Sequence, residues 1–298
     1  MSTLSKSPVR VARRALAAGA SALRRYSHKY SPKVYTQPQL FACLVLKVFL
    51  KTDYRGLQEM LDDLPDLVRT LGLGAVPHYT TFQKASTRLL ARRRVRRLLD
   101  FTVRRVLGRR QRVKRAALDS TGFEAGHTSH SYAKRRTKGA TAKEKVRYSR
   151  YAKLEAAFDC ATPVVLGAIP RQGPAVDTDR FVPLLAEALR RVQITTALAD
   201  AGFDSEPNHR YARDERGVRS VIPAEIGRPS TKPPSGRYRR LMKQRLDKDY
   251  CKYGQRWQAE TGFSMIKRRI GSAVSGRSYQ SQCRDLMLFV LTYNLMLR

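Results

Sequence analysis

Lys114–Glu124 reads KRAALDSTGFE, and the texture of the chain changes there. Upstream, arginine and leucine alternate at helical spacing. Here a short apolar run ends in Asp119 and a polar stretch, as a buried strand does when it leaves a core. Downstream, VRYSRYAKLEAAFD and TPVVLGAIP read as two further strands, RFVPLLAEALRRV as a helix with Asp179 as its cap, and ITTALAD as a buried strand ending at Asp200. Asp204 or Ser205 is placed to cap the next helix, and VRSVIP is one more strand. A meander of three strands followed by strand–helix alternation predicts a mixed sheet with helices packed on it, an α/β fold.

The first third reads helical. Leu40–Leu50 is an apolar helix, Asp53 is placed to cap a second (YRGLQEMLDDL), and Thr80 or Thr81 to cap a third in PHYTTFQKASTRLL. A helix-turn-helix and an ordinary small helical bundle fit this pattern equally. Arg92–Arg115 follows as a very basic helix. Residues 1–52 hold no Asp or Glu and are rich in Ser, Ala and Arg. That also describes an organelle transit peptide. The basic bias continues through the whole chain, however, and favours an arm lying on DNA. The expected segments are a basic arm (1–37), a helical domain (38–112) and an α/β domain (113–298) with basic loops near 127–153 and 224–252.

Composition narrows the partner. Fifty-nine Lys and Arg stand against 24 Asp and Glu in 298 residues, a net charge of +35. Such an excess of one sign calls for a polyanion, most commonly a nucleic-acid backbone, although ribosomal and packaging proteins share it. The four cysteines are far apart and read as reduced thiols of a cytosolic protein. The longest apolar runs, Leu40–Leu50 and Leu286–Leu297, fall short of the ~20 residues of a membrane span.

Carboxylates are scarce in this chain, so those at strand ends carry information. Asp119 and Asp200 each close an apolar strand, and Glu260 follows 60 residues after Asp200 within YGQRWQAETGFSMIK. If that stretch is one helix at ~100° per residue, Tyr253, Arg256, Glu260 and Lys267 share a face about 60° wide. Arg256 would sit ~6 Å from Glu260 along the axis, near the reacting phosphate. Tyr253 and Lys267 would sit ~10 Å away, near flanking phosphates. Three converging carboxylates suit Mg²⁺ or Mn²⁺, and two such ions ~4 Å apart can serve both sides of a reacting phosphorus. Of the other carboxylates, Asp179 and Asp204 read as helix caps and Glu124 as a supporting group behind the ligands. Trp257 and Phe263 read as packing residues. His127 and His130 lack partners for zinc.

The three blocks DSTGFE, LADAGFDS and Y-R-E-K together resemble the DDE transposases of bacterial insertion sequences, in the branch that carries the Y-R-E-K signature on the helix of its third acidic residue. The likeness runs from about Pro38 to the end. It implies an RNase H-like catalytic core preceded by a helical N-terminal DNA-binding domain, with Mg²⁺ on Asp119, Asp200 and Glu260. It implies cleavage at the element ends and joining of a 3′ hydroxyl to target DNA, with Tyr253, Arg256 and Lys267 holding the transposon end. It also implies a homodimer on DNA and a cytoplasmic, nucleoid-associated protein. The short spacer between Asp200 and Glu260 leaves no room for the large β insertion of some relatives. A metal-dependent nuclease or resolvase on the same core, or a non-catalytic DNA-binding protein, are the alternatives.

Overall fold

The computed structural model describes residues 4–126, 135, 138, 150–224, 233–249 and 253–298. These divide into two compact units, residues 107–264 and residues 1–106 with 265–298.

The first of these holds the sheet. Five of its strands are β1 (Arg112–Ala125), β2 (Tyr151–Asp159), β3 (Val165–Gly173), β4 (Gln193–Ala199) and β5 (Arg219–Val221), in spatial order β3-β2-β1-β4-β5. β1–β2 and β2–β3 pair antiparallel, β1–β4 and β4–β5 parallel. The expected mixed sheet is therefore observed. β2 is buried along almost its whole length, as its apolar residues Leu154, Ala156, Ala157 and Phe158 demand. Helix α7 (Phe181–Leu189) buries Phe181, Leu184, Leu185 and Ala188. It approaches β3 so closely that a Cβ on Gly167 would stand 3.0 Å from the Ala188 nitrogen.

Two local expectations change. Asp179 does not cap α7. It lies in a 3₁₀ turn (Thr178–Arg180) and pairs with Arg171 at 3.0 Å, because a cation across the turn outcompetes the capping bond. Ser205 caps the short helix α8 (Glu206–Arg210), which frees Asp204 to bind Arg239 at 2.8 Å.

Of the two basic loops, 127–149 and 225–232 lie outside the described residues, apart from 135 and 138. Within the second, the expected loop gives way to helix α9 (Arg237–Asp249). Three prolines precede it, but RYRRLMKQRL presents Leu241, Met242 and Leu246 at helical spacing. Met242 is fully buried on Leu198 and Val221.

The other unit is helical. It contains α1 (Pro8–Ala22), α2 (Gln37–Phe49), α3 (Tyr54–Asp63), α4 (Pro65–Leu71), α5 (Tyr79–Leu89), most of α6 (Arg92–Leu107) and α11 (Tyr279–Met296). Asp53 caps α3 as expected, whereas α5 starts after His78 with no side-chain cap. The segment read as a basic arm contains α1. Val11, Ala12, Ala15 and Ala18 form a buried stripe of small residues, and α2 comes so close that a Cβ on Gly19 would lie 2.7 Å from the Pro38 Cα. These small side chains are the ones that admit close helix packing.

The unit boundaries also differ from the expected ones, because the C-terminal α11 belongs with the N-terminal helices. Arg14 Nη1 donates to the Leu295 and Leu297 carbonyls at 3.0 and 2.7 Å, and Arg105 Nη2 to those of Asn294 and Leu297 at 2.7 and 2.8 Å. Two guanidinium groups thus satisfy the carbonyls that end α11.

Candidate active site

Asp119 lies in mid-strand, not at a strand end. β1 runs on to Ala125 because β2 continues to pair with it as far as Phe123. Its parallel neighbour β4 stops earlier. Leu118 is in register with Ala199, so Asp119 and Asp200 stand side by side where β4 ends. Burial pushes the Asp119 carboxyl up to about 6. The charges of Asp200 and Glu260 add to that rise, and the Ser120 N–H and Arg256 oppose it. Burial also raises Asp200, against the pull of Arg256. The Gly202 N–H also opposes that rise, and among the described residues Asp200 Oδ1 is buried without a hydrogen-bond partner.

The third acidic residue comes from α10 (Trp257–Arg269), with Glu260 in its first turn. The helix is held against β2 at Gly262, where a Cβ would lie 2.4 Å from the Phe158 ring, and by an edge-on contact of Phe158 with Phe263 at 5.0 Å. Phe263 packs as expected, whereas Trp257 is 53% exposed.

The one-helix face is corrected here. Tyr253–Arg256 is a 3₁₀ turn ahead of α10, so these two residues do not continue its helical wheel. Arg256 still reaches the centre. Its Nη1 lies 3.7 Å from Asp119 Oδ2 and its Nη2 donates to Glu260 Oε1. Tyr253 instead packs against the Leu198–Val221–Met242 cluster, and burial raises its phenol. Lys267 lies in the last turn of α10, within the helical unit.

Among the described residues, no three His, Cys, Asp or Glu side chains stand close enough to hold a metal ion. The Arg256 guanidinium lies between Asp119 and Glu260 instead. The donor set nevertheless fits a hard divalent cation. It is all carboxylate, two of its members are held above their ordinary pKa by burial, and one buried oxygen has no partner.

Sequence reasoning assigned no role to a second polar cluster next to this centre, although Asp177 was among the carboxylates near the motif blocks. Lys153 is buried, with Nζ 2.6 Å from Asp177 Oδ1 and 2.9 Å from the Ala175 carbonyl. Ser120 Oγ donates to Asp177 Oδ2 at 3.0 Å, and Thr178 Oγ1 to the Gly202 carbonyl at 3.0 Å. The segment 175–178 is therefore tied to the neighbours of both aspartates. Fully buried Glu155 meets Arg171 at 3.5 Å, and its carboxyl is pushed by burial up to about 7. The available signal was YAKLEAAF, where Lys153 and Glu155 interrupt an apolar strand two residues apart and so share a face. Glu124, expected behind the ligands, is exposed.

The site is thus a pair of carboxylates where a parallel strand pair of a mixed sheet ends, with a third acidic residue on the helix beside them. Residues 112–295, more than half of the chain, match the family model described as transposase DDE domain, and the chain belongs to that family. It is thus of the transposase class, whose substrate is DNA. A search of curated proteins gives no match. Among the described residues, no helix is long and apolar enough to cross a membrane.

Proposed function

We propose that this protein cleaves DNA at the ends of a bacterial insertion sequence and joins the freed 3′ hydroxyl to target DNA. Asp119, Asp200 and Glu260 are its metal ligands, in an RNase H-like core of the Y-R-E-K branch. The observation that carries this reading is the side-by-side placement of Asp119 and Asp200 on parallel strands, with a buried, unpartnered oxygen on Asp200. When bound, Mg²⁺ or Mn²⁺, as one ion or two, supplies charge stabilisation at phosphorus and acidifies the attacking oxygen. Arg256 is paired with Asp119 and Glu260; a divalent cation on those carboxylates would take over that charge, and Arg256 would be the residue to meet a phosphate of the element end. Lys267 and Tyr253 complete the grip on that end. The mixed antiparallel–parallel sheet supports the RNase H-like assignment.

The helical unit is assigned to reading the element end. On α5, Gln83, Lys84 and Thr87 are exposed together on one polar face, with Arg55 4.9 Å from the Tyr79 ring beside it. Synapsis of two ends calls for a homodimer on DNA, acting in the cytoplasm at the nucleoid.

A labelled duplex carrying the element end tests the reading. Wild-type protein with Mg²⁺ or Mn²⁺ yields strand-transfer products, and Asp119→Asn, Asp200→Asn and Glu260→Gln each abolish them while DNA binding persists. Cleavage without joining would leave the nuclease alternative. Activity unchanged in all three variants would refute the metal site.

A further inference from the structure

A third polar feature lies on the sheet unit, in residues that none of the three motif blocks contains. Arg213, Arg237, Tyr238, Arg240 and Gln244 line an open cavity of 840 Å³. Three guanidinium groups thus share one space with a single carboxylate, Asp214, which accepts a hydrogen bond from the Tyr238 hydroxyl.

The neighbouring charges are already committed. On α9, Arg239 turns inward to Asp204 at 2.8 Å. Glu206 accepts the backbone N–H groups of Tyr238 and Arg239 at 3.1 Å and so caps the helix start. Arg237, Arg240, Leu241 and Gln244 then fall at i, i+3, i+4 and i+7, one stripe of α9 facing the cavity, and the stripe is cationic rather than apolar. Among the described residues, none of Arg213, Arg237 or Arg240 is paired with a carboxylate.

One of the three is held in place from below. Arg213 donates through Nε to Ser220 Oγ at 3.0 Å and through Nη2 to the Ser220 carbonyl at 2.6 Å. Its guanidinium lies 5.1 Å from the Tyr238 ring centre, and that of Arg237 lies 5.4 Å from the same ring. These bonds fix the Arg213 guanidinium while leaving its Nη1 for a ligand. Gathering three like charges costs energy unless an anion joins them. Guanidinium forks with a neighbouring amide match phosphate oxygens, whereas a Tyr238 ring already engaged by two arginines is not available to stack on a base.

We infer that this cavity is a DNA contact site separate from the catalytic centre, taking backbone phosphates of a duplex without reading sequence. The inference rests on DNA being the substrate. The test uses full-length Glu260→Gln protein in EDTA, a random-sequence duplex, and anisotropy titrations across a salt series. The exposed pair Arg237→Ala/Arg240→Ala is compared with its parent. The expected result is a salt slope smaller by about 1.8, at ~0.9 for each of two phosphates, together with loss of hydroxyl-radical protection over a short discrete stretch of backbone. An unchanged slope and footprint overturns the site. Uniform weakening with the footprint intact shows a general charge effect and also overturns it. A parent protein that does not bind DNA at all overturns the functional reading itself, and this site with it.

Discussion

Arg256 Nη1 lies 3.7 Å from Asp119 Oδ2 while its Nη2 donates to Glu260, so one guanidinium joins the sheet carboxylate to the helix carboxylate. It holds the acidic centre together electrostatically. Arg256 lowers the Asp119 pKa against the burial that raises it to about 6. At subsaturating Mg²⁺ or Mn²⁺ a cation must displace the Asp119 proton, so activity is expected to rise with pH through that value. In Arg256→Gln the acid limb moves to higher pH, and the rate at the plateau falls about 10²-fold or more for a lost charge at the phosphate. A pH–rate profile of end cleavage checks both. An acid limb that does not move would remove Asp119 from the reaction.

Asp119 also predicts a trade of stability for function. Its carboxyl titrates near 6 in the folded protein against 3.8 ordinarily, so the folded state holds the proton more tightly than the unfolded chain. Raising the pH from about 4 to about 6 therefore withdraws stability, up to about 3 kcal/mol at 1.36 kcal/mol per pKa step. Asp119→Asn is expected to melt a few degrees higher than wild type at pH 7.5 without metal, and the gain disappears near pH 4. Thermal melts at the two pH values decide it.

Divalent ion should act in the opposite sense. Mn²⁺ at about 100 times its Kd stabilises a single-site protein by about 2.7 kcal/mol. Wild-type protein is expected to melt several degrees higher with Mn²⁺, and Asp200→Asn to show no rise. An equal rise in both would place the ion elsewhere.

The sheet and its two aspartates were legible because buried strands leave a periodicity that needs no partner to be recognised: ALD and ALAD each end an apolar run. The Tyr253–Lys267 wheel was read one turn too long. Nothing in YGQR separates a 3₁₀ turn from an α-helix, since the choice follows from Tyr253 packing on Leu198 and Met242. The α1 helix escaped for a related reason. Alanine is apolar enough to be buried only when a neighbour approaches closely, and the neighbour, Pro38, is supplied by α2. The Lys153–Asp177 pair joins residues from two different segments, which no local pattern reports.

Gly262 is expected to be intolerant of alanine although it lies inside a helix, where alanine is normally better by about 1 kcal/mol. A Cβ there would stand 2.4 Å from the rigid Phe158 ring. Gly262→Ala should lose about 1–3 kcal/mol by overpacking and displace Glu260, two residues earlier on the same helix. Chemical denaturation and cleavage assays check this. Gly262→Ala/Phe158→Leu should recover much of both.

The Lys153–Asp177 pair makes a double-mutant prediction. Lys153 has 8% of its side chain exposed and Asp177 20%, so removing the cation strands a largely buried carboxylate. Lys153→Met is expected to cost about 3 kcal/mol, and Lys153→Met/Asp177→Leu clearly less. Costs that add across the two sites would mean that the pair does not interact.

Arg105 tests whether the last helix belongs with the first ones. Its Nη2 serves the Asn294 and Leu297 carbonyls, and burial pushes the guanidinium down to about 10, with Arg14 adding to the shift. Beneath it, Asn294 Nδ2 donates to Thr102 Oγ1 at 3.1 Å, fully buried. Arg105→Ala removes the bond to the Asn294 carbonyl and leaves the Leu297 carbonyl to Arg14, at about 1–3 kcal/mol. Arg105→Lys should recover only part of that, because an ammonium does not offer the planar fork. Hydrogen exchange locates the effect: faster exchange is expected in Leu288–Met296, with β1 and β4 unchanged. Equal acceleration in the sheet would mean that α11 and the sheet unfold as one cooperative unit.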